Sequence, residues 1–244
     1  MGNIFFTLLF QPLYNALVFL YNIIPGGGLG LAIILVTIIV KGALMPLTYK
    51  SMKAQKELQE IQPKIKALRE EYKDNKEELA KQLMGVYKTH NVNPFASCLP
   101  MIAQLVVFIA LYQVLSAGVG TVVAENLYSF VANPGTMGHI FLGIDLSVIS
   151  IPLSIVAAIA AFFQARQMVA SRPPKVVRES AEGDKAMDED IAATMNKTTM
   201  YMLPIMTLVI GVTTVPAGLI LYMLVSTIVT YIMYAFFLGK PSKT

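Results

Sequence analysis

Long apolar runs separated by short polar blocks are the dominant pattern of this chain. A helix rises 1.5 Å per residue, so a bilayer crossing takes about 20 apolar residues. The runs 29–49, 95–115, 146–165, 199–215 and 218–238 meet or approach that length. The last two form one stretch interrupted by Val215-Pro216-Ala217-Gly218. Adjacent Pro and Gly punctuate helices, so a tight hairpin on the outer side is expected there.

Residues 4–24 are apolar too, yet Thr7, Gln11, Asn15 and Asn22 recur at spacings of four, four and seven on one helical face. With Pro12 inside and Pro25-Gly26-Gly27-Gly28 behind it, the segment 1–28 is expected to be an amphipathic helix in the outer interface. A sixth span is the alternative.

The block 50–94 has a different period. Leu58, Ile61, Ile65, Leu68 and Tyr72 are spaced three, four, three, four, and Leu79, Leu83 and Val86 repeat the seam after Lys73-Asp74-Asn75. It reads as an antiparallel helical hairpin standing off the membrane, with Pro63 kinking its first arm or starting a new helix. The blander reading of its charged surface is a solvated face with weak intrahelical pairs. The sharper one is a docking surface for a ribosome or targeting factor, with Lys53, Lys56, Lys64, Lys66, Arg69 and Lys73 as recruiting cations. The remaining connections are an extracytoplasmic loop, 116–145, and a cytoplasmic loop, 166–198. The latter holds Pro173, Pro174 and Gly183 among many charges and cannot bury a core.

Composition fixes the class. The chain is 55% hydrophobic and only 14% charged, with a mean hydropathy of +0.61, whereas soluble domains carry about a quarter charged residues. An all-α polytopic membrane protein with five transmembrane helices is expected. Apart from Lys41, its 19 Lys and Arg fall in 50–88, 166–197 and the tail 239–244. The positive-inside rule places those blocks in the cytoplasm, with the N-terminus outside and the C-terminus inside. No secretory signal, acylation motif or transit peptide is visible, which favours a bacterial inner membrane.

Lys41 is the exception that points to function. A lysine at the centre of a span costs roughly 2.5–3.5 kcal/mol on insertion scales, and such residues face a partner or a wet cavity. The five spans contain no Asp or Glu to pair with it. Counted along a straight helix from Lys50, it lies about 13 Å inside the cytoplasmic boundary. Gln104, Thr207 and Thr230 fall at a similar depth on three other spans, Thr37 continues the Lys41 stripe, and Ser154 belongs to a stripe displaced outward. A polar groove open to the cytoplasm would account for all six. Each Ser or Thr taken singly is more often bonded to its own helix backbone.

Enzyme chemistry has no foothold. His90 and His139 are expected on opposite sides of the membrane, and Cys98 is the only cysteine, which excludes an intrachain disulfide or a cysteine metal cluster. No phosphate loop, nucleophile motif, metal site or cofactor motif is found, and nothing points to nucleic acid sequence recognition.

The order of parts resembles the YidC/Oxa/Alb membrane protein insertases. The resemblance runs through Phe10-Gln11-Pro12-Leu13-Tyr14, Val40-Lys41-Gly42-Ala43-Leu44-Met45-Pro46, Leu58-Gln59-Glu60-Ile61-Gln62-Pro63, Val92-Asn93-Pro94, Cys98-Leu99-Pro100-Met101 and Pro216-Ala217-Gly218-Leu219 with Tyr222. It implies a five-helix core around a groove open to cytoplasm and lipid, and a non-enzymatic insertase and chaperone acting on nascent membrane proteins. The family's groove cation is an arginine where this chain has Lys41, which keeps the charge and loses the bidentate fork. The resemblance also implies a short form without a large extracytoplasmic domain, and no ribosome-holding extension in the tail. Two other classes stay open on residues alone: a small transporter or channel lined by the same stripes, and a structural partner of the Sec translocon.

Overall fold

The computed structural model describes residues 2–24, 28–90, 92–93, 99–118, 122–170 and 200–238. Residues 171–198 of the charged loop expected at 166–198, the tail expected at 239–244, and Cys98 lie outside the described residues.

The N-terminal segment is one continuous helical rod. Helix α1, Gly2–Phe5, passes through a π-helical turn, Phe6–Phe10, into α2, Gln11–Ile23. Pro12 has no amide to give to the preceding turn, and just ahead of it the ladder widens so that the Gln11 amide donates to the Phe6 carbonyl. Phe6, Phe10 and Tyr14 stack along one face at centroid separations of 5.0 and 5.6 Å.

Helix α3, Leu29–Ala43, and α4, Met45–Glu60, meet at Leu44 with a bend of 58°. Gly42 weakens the ladder and Pro46 cannot donate within the first turn of α4, so the chain breaks there. The straight span expected over 29–49 is therefore a bent pair, and Lys41 sits in the last turn of α3 rather than deep within an unbroken rod. Helix α5, Gln62–Glu71, carries Pro63 in its first turn, where a missing amide costs nothing. Helix α6, Lys76–Thr89, starts on an Asn75 cap that accepts from the Glu78 amide at 3.1 Å, with Glu77 and Glu78 in the first turn and Lys88 in the last. Ile61, Ile65 and Val92 are buried between the arms with Leu58, Leu83, Val86 and Tyr87 around them, so the seam read from the sequence does close a helical hairpin.

Helix α7, Leu99–Gly118, leads into a segment with a 3-10 turn, Ala124–Asn126, and two short antiparallel strands, β1 (Ile140–Phe141) and β2 (Ile144–Asp145). Helix α8, Ile151–Ala170, is followed by α9, Met200–Thr213, and α10, Ala217–Leu238. The last two are joined at the predicted Pro-Gly break. The Gly218 amide donates to the Leu146 carbonyl at 2.9 Å, and a Cβ there would stand 3.3 Å from that same oxygen, a tight contact.

Among the described residues, Phe6–Ile23, Ile151–Met168 and Ala217–Phe237 are each long and apolar enough to cross a membrane, and the α3–α4 pair makes a fourth candidate. Ile102–Leu115 and Met200–Thr213 are shorter apolar helices. Packing is two-sided, as in a bundle embedded in lipid. Leu31, Leu35, Ile38 and Ile39 on α3, and Ile155, Ile159 and Phe163 on α8, are exposed at helical spacing. The opposite face of α8 buries Ala157, Ala161 and Ala165, small residues that let helices approach closely. The main core gathers Tyr14, Leu17, Leu29, Val36, Leu111, Val114, Leu146, Leu219 and Tyr222 from four helices and the loop segment.

Candidate functional site

Three of the six predicted groove residues meet at the end of α3. The Lys41 ammonium donates to Gln104 Oε1 on α7 at 2.9 Å and to Thr230 Oγ1 on α10 at 3.0 Å. The threonine hydroxyl spends its own proton on the Ser226 carbonyl, at 2.7 Å, which leaves its lone pairs for the lysine. The Gln104 amide nitrogen donates to the Tyr222 hydroxyl, fixing which end of the side chain faces the ammonium. Ser226 Oγ approaches Gln104 Oε1 at 3.4 Å.

The surroundings favour a held cation. Lys41 occupies the last turn of α3, where the free carbonyl ends of the helix attract positive charge by about 0.3–1 kcal/mol. An ammonium has three donors, and two find acceptors among the described residues. The side chain is half-buried, so one N–H remains for water or for an incoming acceptor.

Thr37, Ser154 and Thr207 stand apart from this cluster. Thr37 and Ser154 are fully buried, and Thr207 nearly so. They bond the carbonyls of Ile33, Ser150 and Leu203 four residues back, at 2.6, 2.8 and 2.9 Å. Ser154 also packs on Gly211, where a Cβ would lie 2.6 Å from its hydroxyl. All three satisfy their donors locally.

Tyr222 and Ser226 were missed in the sequence reading. They share one face of α10 with Thr230 at spacings of four, and that stripe was the available signal.

The hairpin cations are spread over its surface. Lys53 pairs with Glu57 at 3.8 Å, and Lys64 Nζ lies 2.8 Å from His90 Nε2. Lys56, Arg69 and Lys73 are exposed, and the Lys66 side chain lies outside the described residues. The base of the hairpin is tied to the bundle: the Tyr234 hydroxyl donates to Gln55 Oε1 at 2.9 Å, and Tyr49 packs edge-on against Phe237. The base of the hairpin and the Lys41 cluster thus both contact α10.

At the other end of the bundle the polar stripe of the N-terminal helix meets the loop segment. Asn15 donates to the Asn126 carbonyl and accepts from the Tyr128 amide, at 2.9 and 2.6 Å. Asn22 donates to the Ala132 carbonyl at 2.6 Å. The hydroxyls of Tyr14 and Tyr21 accept from the amides of Val123 and Gly138, each at 2.8 Å. Thr7 stays exposed.

Among the described residues no group of three or more His, Cys, Asp or Glu is placed to hold a metal ion. Among the described residues, the arrangement defines a helical membrane protein with a cationic cluster around Lys41 where α3, α7 and α10 meet. The chain matches the 60Kd inner membrane protein family over residues 19–242, and it belongs to that family. It is 46% identical over 110 residues to a membrane protein insertase YidC of Geobacter sulfurreducens, covering 45% of this chain and 20% of that protein. It is 31% identical over 227 residues to another from Syntrophobacter fumaroxidans, covering 92% of this chain and 37% of the relative. The matched region thus spans between a fifth and somewhat over a third of those relatives' length.

Proposed function

We propose that this chain is a membrane protein insertase of the bacterial inner membrane. Its Lys41 cluster receives the short polar or acidic flank of a nascent membrane protein, while the apolar part passes into lipid. Five helices, built on the α3–α4 pair, α7, α8, α9 and α10, would enclose a groove open to the cytoplasm. The hairpin would lie on the cytoplasmic side with the C-terminus, and the N-terminus outside. The observation that carries the reading is an ammonium held by two neutral acceptors, Gln104 and Thr230, among spans that contain no carboxylate. A cation with a donor to spare, set among apolar helices, attracts an anionic flank more strongly than the same charge in water. Family membership and the names of the relatives support the same reading.

Transfer of the client's apolar segment into lipid, at about 25 cal/mol per Å², supplies the drive. The cluster lowers the barrier for the polar flank and leaves the final free energy unchanged. The hairpin, tied to the same helices through Gln55–Tyr234, would receive the client first. Contact with a ribosome or with the Sec translocon would be made at this hairpin.

The test is insertion of a single-span client with an acidic outer tail into liposomes holding the purified protein. Lys41→Ala should abolish insertion while the protein stays folded, and Lys41→Arg should retain it. Full insertion by Lys41→Ala would remove the charge from the mechanism. Deleting 53–88 should reduce crosslinking to nascent chains and leave the bundle intact.

A further inference from the structure

The β1–β2 ribbon at the loop end turns on Leu142-Gly143, both with positive φ, 51° and 79°. Such two-residue turns favour Asn-Gly or Asp-Gly, because a branched side chain is strained in the left-handed region. Leu142 is nonetheless 86% exposed, so no packing within the chain offsets that strain. Ile140 beside it is 67% exposed.

Strand alternation sends Phe141 to one face, against Gly30 near the start of α3, and Ile140 to the other. Gly30 is needed for this seat, since a Cβ would occupy the phenyl ring's space. From that point the exposed apolar residues Leu31, Leu35, Ile38 and Ile39 continue along α3. The ribbon is thus seated at the Leu29 end of α3, where those exposed apolar residues begin. Asp145, the carboxylate nearest the tip, has His139 Nε2 3.6 Å from it.

We infer that the Leu142 turn, with Ile140 on its flank, is a membrane-surface anchor that inserts shallowly among lipid headgroups and seats the loop end of the bundle in the bilayer. The depth is limited by chemistry: open turn backbone and the Asp145 carboxylate cannot enter hydrocarbon without large cost. The headgroup region accepts both, together with two aliphatic side chains.

The experiment places an environment-sensitive nitrobenzoxadiazole label on Leu142→Cys or Ile140→Cys, in full-length protein carrying Cys98→Ala, within phosphatidylethanolamine–phosphatidylglycerol vesicles. Glu125→Cys, on the same segment and exposed, is the aqueous reference. Labels at 142 and 140 should emit to the blue of the reference and lose intensity to lipids spin-labelled near the headgroup, more than to lipids labelled deep in the chain. Leu142→Asn suits the turn better but lacks the apolar tip. Added to Ile140→Cys, it should shift that label's emission to the red. Quenching of the 140 and 142 labels by aqueous iodide as readily as the reference would overturn the anchor, as would an unchanged spectrum in the Leu142→Asn variant.

Discussion

The two ends of the bundle treat polar groups in opposite ways. At the loop end, Tyr14, Asn15, Tyr21 and Asn22 make five hydrogen bonds to loop backbone, and Val122, Val131, Met137 and Leu146 are buried beneath them. At the hairpin end, Lys41 keeps a donor without a partner among the described residues, and its acceptors are neutral. Saturated bonding over a packed core resists opening, whereas a half-buried cation with a donor to spare has room for a further acceptor. The comparison predicts that substitutions at the loop end cost stability, while those around Lys41 cost function.

The largest stability loss is expected from Asn15→Ala. It strands the Tyr128 amide and the Asn126 carbonyl on a nearly buried face, which should cost about 2–4 kcal/mol. Thermal unfolding in detergent reads the loss, and Asn15→Asp should recover part of it because Oδ1 still accepts from Tyr128. A wild-type melting temperature in Asn15→Ala would show that the loop is held by its apolar contacts alone. Tyr14→Phe removes a single acceptor, from the Val123 amide, and should cost about 1 kcal/mol.

Tyr222→Phe tests the boundary between the two regimes. The tyrosine is buried in the main core and also orients Gln104. Loss of the hydroxyl should cost about 1 kcal/mol, since the amide it leaves is only half-buried. It should also slow insertion, because the Gln104 amide is then free to turn its nitrogen toward the ammonium. Lys41→Met should show the reverse balance. Replacing a part-buried charge by an apolar side chain of similar length leaves stability within about 1 kcal/mol of wild type, while insertion of acidic-tailed clients is lost.

How much of this was legible in the chain differs between the same two ends. Lys41, Gln104 and Thr230 could be found because a charge and an amide in apolar runs are conspicuous, and counting residues gave them a common depth. The count assumed a straight helix, however, and the bend at Leu44 was hidden because Gly42 and Pro46 each permit a break without requiring one. Thr37, Ser154 and Thr207 lie in polar stripes as expected, yet each hydroxyl reaches its own helix backbone, and spacing alone cannot separate that from a shared cluster. The spacing of Thr7, Gln11, Asn15 and Asn22 marks one polar face of the N-terminal helix. Periodicity identifies such a face but not what it meets, and here Asn15 and Asn22 meet loop carbonyls more than a hundred residues away.

The smallest effect is expected at Asp145, and it gives the loop end a pH dependence of its own. Hydrogen bonds from the hydroxyl and amide of Ser147, aided by His139, hold the carboxyl below the usual carboxylate range. A depressed folded-state pKa means the group contributes stability above its unfolded value and loses it as pH falls through the folded one. The ribbon between His139 and Ser147 should therefore stay ordered through neutral pH and loosen below about pH 4. Because the group is fully exposed, the change should be confined to local opening. Hydrogen exchange of the Ser147 and Leu146 amides should rise on acidification after correction for intrinsic rates, and Asp145→Asn should flatten the response. Equal acid sensitivity in the Asn variant would show that the opening does not come from the Asp145 carboxylate.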